Sequence, residues 1–355
     1  MQKKRIVVKV GSSVLTRKDG KPDITRLSSL VDQIVWLRQN GFEIILVSSG
    51  SLACGRHELK ITKNLDSVEQ RQLFSAIGQV KLINLYYDLF YDYNIHIGQV
   101  LTMKENFSSR QEYLNQRACM EVMLQNEVLP IVNENDPVSV TELMFTDNDE
   151  LSGLVASMMN ADELIILSNV DGIFDSPAQK SVIPVVEQGQ DISRYIGQQK
   201  SGFGRGGMIT KCHIAGKVAD EGIRVIIANG TRPNILIDLI QNPGETVHTE
   251  FLPAKENISN VKKWIAHSSS FAKGIVHINN DAAKTLCGKE ASSLLMVGVT
   301  AIDGEFEEGD IINIVDSSGK VIAIGRSGYG SKEATTLIGQ HNKKPLVHYN
   351  YLYLE

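Results

Sequence analysis

The stretch "RIVVKVGSS", Arg5–Ser13, reads as a β-strand that runs into a Gly-Ser turn. Apart from Lys9 its apolar residues are continuous rather than alternating, as in a parallel strand covered on both faces. Comparable runs recur up to about residue 255: "FEIILVSSG" (42–50), "HIGQVLTM" (96–103), "VLPIVNEN" (128–135), "ELIILSNV" (163–170) and "RVIIANG" (224–230). Helical patterns separate them at 23–39, opened by Pro22-Asp23, and at 67–93, 111–126, 148–160 and 208–221. Strands alternating with helices predict βαβ units, hence an α/β fold with a parallel sheet covered on both faces. The order of the strands does not follow from this pattern.

A chain of 355 residues predicts two domains, each able to bury its own core. It is 42% hydrophobic and 22% charged with a net charge of −5, which argues against nucleic acid or an anionic membrane as partner. The basic start "MQKKR" precedes an apolar run that Lys9 interrupts after three residues, too short for a signal peptide. No run approaches the ~18 apolar residues of a membrane span. Cys54, Cys119, Cys212 and Cys287 form no C-x-x-C pair and read as reduced thiols of a cytoplasmic protein. From about residue 256 the character changes. A polar connector, "PAKENISNVKKW", leads to short alternating segments and turns at Asp303-Gly304 and Ser318-Gly319, with one helix over 281–287. The expected layout is a domain over 1–255, a linker over 256–272 and a small β-rich module over 273–350.

Ligands of open parallel sheets bind outside the carboxyl ends of the strands. There this chain carries "KVGSS", "SSGS", "NENDP" and "SNVDG". Each alone makes an ordinary turn or cap, but four at equivalent positions point to a site. Lys9 sits within its strand beside Gly11. Either it is paired or used, or the strand lies at an edge and the lysine faces solvent. "NENDPVSVTELMFTDNDELSG" brings Asn133, Asn135, Asp136, Asp147, Asn148 and Asp149 to one strand end and the next helix start. Asp147 is placed to cap that helix; the whole group also suits an ammonium ion or Mg²⁺. "SGFGRGGMITK", Ser201–Lys211, contains G-x-G-x-x-G but follows no buried strand, and its lysine falls too late for a P-loop. Lys211 in the first turn of a helix instead suits an anion held between it and free backbone N–H groups. His57, His96 and His213 form no nucleophile–base pattern, which argues against a Ser–His–Asp hydrolase.

Taken together, "VVKVGSSVL", "LVSSGSLACG", "PIVNENDPV", "TDNDELS" and "SGFGRGGMITK" resemble the amino acid kinase family, in its branch that phosphorylates free glutamate. Residues 273–350 resemble a PUA domain. The resemblance implies a three-layer αβα sandwich around a mainly parallel sheet. It also implies ATP-dependent phosphorylation of the L-glutamate γ-carboxylate to γ-glutamyl phosphate, the first step of proline synthesis. By the same resemblance Lys9 and Lys211 lie at the transferring phosphoryl group, with Asp149 holding them. Ser49, Gly50, Asn133, Asp136, Asp147 and Asn148 lie on the glutamate. Gly11, Ser168, Asn169, Arg205, Gly206, Gly207, Met208, Ile209 and Thr210 join the two lysines around ATP. Ser168-Asn169 and Arg205 depart from the pattern of relatives, which often have Thr-Asp and a small residue there. No protein metal site is expected, Mg²⁺ being carried mainly by the ATP phosphates. Proline as feedback inhibitor, a homo-oligomer and channelling to glutamyl phosphate reductase are further implied.

The chemistry matches this inventory. A γ-carboxylate is already ionised at neutral pH and needs no general base, whereas phosphoryl transfer needs charge neutralisation and alignment. Aspartokinase, N-acetylglutamate kinase and uridylate kinase are the alternatives within the fold. A free α-ammonium, which N-acetylglutamate lacks, suits the acidic loops better. The alternative of another class is an RNA-binding protein acting through the PUA-like module. Residues 271–355 hold eight Lys and Arg against ten Asp and Glu, which disfavours RNA. The tyrosine-rich "LYYDLFYDYN" (85–94) reads as a subunit interface or as a core helix with polar edges.

Overall fold

The computed structural model describes residues 3–59, 64–139, 148–175, 181–192, 195, 207–255, 258–288 and 291–355. They form two compact units, one of residues up to Asn106 and Gln111–Asn257, the other of Phe107–Arg110 and Ile258–Glu355.

In the first unit the six expected strands and five expected helices are present, among others: β1 (Arg5–Val10), α1 (Ser12–Leu15), α2 (Ile24–Gln39), β2 (Glu43–Ser48), α3 (Ser51–Glu58), α4 (Ser67–Tyr91) and β3 (Ile97–Thr102). There follow α5 (Arg110–Gln125), β4 (Leu129–Glu134), α6 (Asn148–Met158), β5 (Glu163–Ser168), β6 (Val185–Val186), α7 (Met208–Asp220), β7 (Arg224–Asn229), α8 (Ile235–Gln241) and β8 (His248–Phe251). Of these, α1, α3, β6, α8 and β8 are additions to the expected set. The sheet order is β3-β4-β2-β1-β5-β7-β8-β6. The pairs from β3 to β7 are parallel, and β8 runs antiparallel to β7. β1 is therefore central, and the edge-strand alternative for Lys9 is excluded.

The two-residue period of β1 sorts its side chains between two helix layers. Ile6, Val8 and Val10 join a core with Leu30, Ile34, Tyr86 and Leu236 from α2, α4 and α8. Val7 and Lys9 point to the other face, where α6 packs on β1 and α7 on β7. That parity carries Lys9 toward α6 and α7. The Tyr-rich stretch divides likewise: Tyr86 and Phe90 are core, while Tyr87 and Tyr91 are exposed and stack on each other. Among the described residues no helix is long and apolar enough to cross a membrane.

The second unit holds α9 (Asn260–Ala266), β9 (Gly274–Ile278), α10 (Asn280–Leu286), β10 (Val299–Gly304), β11 (Ile311–Val315), β12 (Val321–Arg326), α11 (Ser331–Leu337) and β13 (Leu352–Leu354). Its strands order as β10-β9-β11-β12-β13 around a separate core that includes Val276, Phe306, Ile312 and Ile314. Here the expected linker needs correction. Residues 260–266 are helical and bury Trp264, Ile265 and Ala266, with Trp264 Nε1 donating to the carbonyl of Phe107 at 2.9 Å. The polar residues around Trp264 had concealed its apolar anchor. The module also extends past residue 350, because β13 pairs with β12.

Candidate active site

β1, β2, β4 and β5 end at the same edge of the sheet, and the residues singled out in the sequence gather there. The centre is Asp149, in the first turn of α6 and fully buried. One carboxylate oxygen contacts Lys9 Nζ; the other lies 2.9 Å from Lys211 Nζ. Lys9 is 4% exposed, so its charge is withdrawn from water and depends on this partner. Burial by itself would raise the Asp149 pKa, yet the two ammonium groups outweigh it and hold the carboxyl below its ordinary value of 3.8. Three elements distant in sequence thus place two cations around one anion.

A second cluster adjoins the first. Asn148, one residue before Asp149, donates from Nδ2 to Ser49 Oγ at 2.7 Å and to Asn133 Oδ1 at 3.2 Å. Asn133, the last residue but one of β4, is almost fully buried and donates to Gln79 Oε1 at 2.8 Å. Ser49 follows β2, and Ser48 Oγ pairs with the Tyr86 hydroxyl at 2.8 Å. Burial pushes that phenol's pKa up, so it remains protonated. Gly50 opens α3 with φ of 106°, a left-handed conformation that glycine adopts without strain. Asp136, in the loop after β4, pairs with Arg71 of α4, which also reaches Glu134 at 3.3 Å.

Beyond β1 and β5, the Gly11 backbone N–H donates to the carbonyl of Leu167 at 3.1 Å, and a Cβ there would lie 3.5 Å from Lys9 Nζ. Ser168 ends β5 and is buried; Asn169 follows it in the turn. Gly207 precedes α7, which starts with Met208, Ile209, Thr210 and Lys211; Ile209 is exposed. Asp147, Arg205 and Gly206 lie outside the described residues, as does most of the glycine-rich loop.

Sequence reasoning missed Arg71 and Gln79. Both lie on α4, eight residues apart and so close to one helical face. Their polar character in a helix otherwise reads as solvent exposure. Among the described residues no group of three or more His, Cys, Asp or Glu is disposed to hold a metal ion. Asp149, the carboxylate nearest the centre, faces ammonium groups.

Residues 4–229 match the amino acid kinase family, and residues 274–349 match the PUA domain. The chain belongs to the amino acid kinase family, whose members that are kinases use ATP as phosphoryl donor. It is 60% identical over 354 residues to a protein of Bacteroides thetaiotaomicron named glutamate 5-kinase, covering 99% of this chain and 98% of that one. It is 48% identical to the glutamate 5-kinase of Chlorobaculum tepidum, covering 99% and 97%. The fold is also that of a carbamate kinase from Giardia lamblia bound to AMP-PNP, with a TM-score of 0.50 and 15% identity over 71% of this chain and 99% of that one.

Proposed function

We propose that the protein is a glutamate 5-kinase, transferring the γ-phosphoryl group of ATP to the γ-carboxylate of L-glutamate. The observation that carries the reading is Asp149 buried between Lys9 and Lys211, next to the amide cluster of Asn133 and Asn148. A γ-carboxylate oxygen attacks the γ-phosphorus; the new O–P bond forms as the bond to the bridging oxygen breaks, and ADP leaves with that electron pair. No proton is abstracted, because the nucleophile is already an anion. Lys9 and Lys211 neutralise the charge spread over the transferring oxygens, and Asp149 keeps both ammonium groups in position. Lysine suits this place because its compact charge can follow the moving group. Mg²⁺ enters with ATP, as part of that substrate.

In this reading Ser49, Gly50, Asn133, Asp136, Asp147 and Asn148 hold the amino acid. Gly11, Ser168, Asn169 and the run Arg205–Lys211 hold the nucleotide. The amino acid end supports glutamate over N-acetylglutamate, since Asp136 and Asn148 offer acceptors for a free ammonium. The product is γ-glutamyl phosphate, which places the enzyme at the start of proline synthesis in the cytoplasm. Proline shares the α-carboxylate and α-nitrogen of glutamate, and competes for the same wall as feedback inhibitor. A homo-oligomer is supported by Val80, Tyr87 and Tyr91, exposed along α4. The lability of an acyl phosphate supports channelling to glutamyl phosphate reductase.

The test is hydroxylamine trapping with ATP and Mg²⁺. Hydroxamate is expected with L-glutamate, far less with L-aspartate or N-acetyl-L-glutamate, with millimolar L-proline raising only the KM for glutamate. Equal turnover of either competitor rejects the substrate; inhibition not competitive with glutamate rejects the proline site.

A further inference from the structure

Beside the two lysines, the wall of the site is a directed chain of amide hydrogen bonds. We propose that Gln79, by supplying the acceptor this direction demands, holds the chain in place and so makes the site selective for a substrate carrying a carboxylate and an ammonium on one carbon. This rests on the glutamate-kinase reading above and adds a positioning residue that touches no substrate.

Backbone groups that cannot reverse anchor the chain. The Glu134 backbone N–H donates to Asn133 Oδ1 at 2.9 Å, so that atom is the amide oxygen. Asn133 Nδ2 is then the end that faces Gln79, and it requires an acceptor, which Gln79 Oε1 supplies at 2.8 Å. Asn148 meets two groups that only accept, Asn133 Oδ1 at 3.2 Å and the Ser48 carbonyl at 3.4 Å, so its Nδ2 turns inward. The same Nδ2 reaches Ser49 Oγ at 2.7 Å.

Two polarities at the substrate face follow. Asn148 Oδ1 is turned away from these partners and receives no hydrogen bond among the described residues, which leaves it as an acceptor for an ammonium. Ser49 Oγ already accepts from Asn148, so its own proton is available to a carboxylate. Replacing the Gln79 acceptor by a donor would put donors on both sides of Asn133, which has one oxygen to offer. Gln79 and Asn133 are 8% and 2% exposed, so water does not readily substitute.

The experiment is steady-state kinetics on the full-length chain by hydroxamate formation, varying L-glutamate and ATP separately. Gln79→Met keeps the length and removes the acceptor; the KM for glutamate should rise about tenfold while the KM for ATP stays within about twofold. Gln79→Glu, whose carboxylate still accepts, should restore the glutamate KM to within about threefold of wild type. Glutarate, which lacks the ammonium, should gain relative to glutamate in Gln79→Met. If Gln79→Met does not fold, Gln79→Ala is read by the same KM split. Gln79→Met unchanged, or equal impairment of the Met and Glu variants, overturns the proposal while wild-type turnover of glutamate leaves the functional reading standing. No hydroxamate from the wild-type chain overturns both.

Discussion

Asp149 is one carboxylate doing two jobs: it satisfies the buried charge of Lys9 and fixes Lys211 at the start of α7. Lys211→Ala should therefore lower kcat by about 10²–10³ with little change in the KM for glutamate, as for other lost electrostatic donors in transfer. Lys9→Ala should behave alike. Lys211→Arg should not restore the full rate, because a planar fork replaces a compact charge. Near wild-type turnover of a folded Lys211→Ala would reduce that lysine to a structural cation. The same triad sets a pH dependence. The folded pKa of Asp149 is depressed, so its stabilisation is intact above the ordinary carboxylate value of 3.8 and is lost as pH falls below it. Asp149→Asn should remove that acid-limb dependence from equilibrium unfolding measured from neutral pH downward. It should also destabilise the fold by about 3–5 kcal/mol, because buried Lys9 and half-buried Lys211 lose their partner.

At the scale of elements, the proposed substrate wall depends on how closely α3 and α4 approach. A Cβ on Gly55 would lie 1.8 Å from the carbonyl oxygen of Phe74, and one on Gly78 would lie 1.7 Å from that of Ser51. The two helices therefore meet backbone to backbone, with glycine required on each. α3 begins beside Ser49 and Gly50, while α4 carries Arg71 and Gln79, so the contact sets the width between both sides of the wall. Gly78→Ala should force the helices apart, lowering stability by about 1–3 kcal/mol or more. It should also raise the KM for glutamate more than that for ATP. Thermal melts and separate substrate titrations check this; an unchanged melting temperature would mean the helices slide apart freely.

At the scale of the molecule, every residue given a catalytic role precedes Cys212, and each unit has its own core. A chain ending at Lys255 should retain measurable glutamate kinase activity. It should be less stable than the full chain, because Phe107, 1% exposed, belongs with the second unit and would lose the Trp264 indole donor. A soluble, folded truncation without activity would show that the second unit supplies part of the site.

Much of this was legible in the chain itself. Local patterning carries strand and helix identity, so continuous Val and Ile runs and helical periodicity placed the elements of the parallel sheet within a few residues. Lys9 was conspicuous because a charge inside a valine strand needs a reason, and "TDNDE" because acids crowd one helix start. What patterning does not carry is which faces meet. The central position of β1, the parity that turns Lys9 toward α6 and α7, and the union of Lys9, Asp149 and Lys211 come from strand order. The same holds for Arg71 and Gln79, and for Trp264 within its polar segment. Their side chains announce nothing locally, and only tertiary packing turns a polar residue on a helix into a partner for a buried amide, or a lone tryptophan into an anchor.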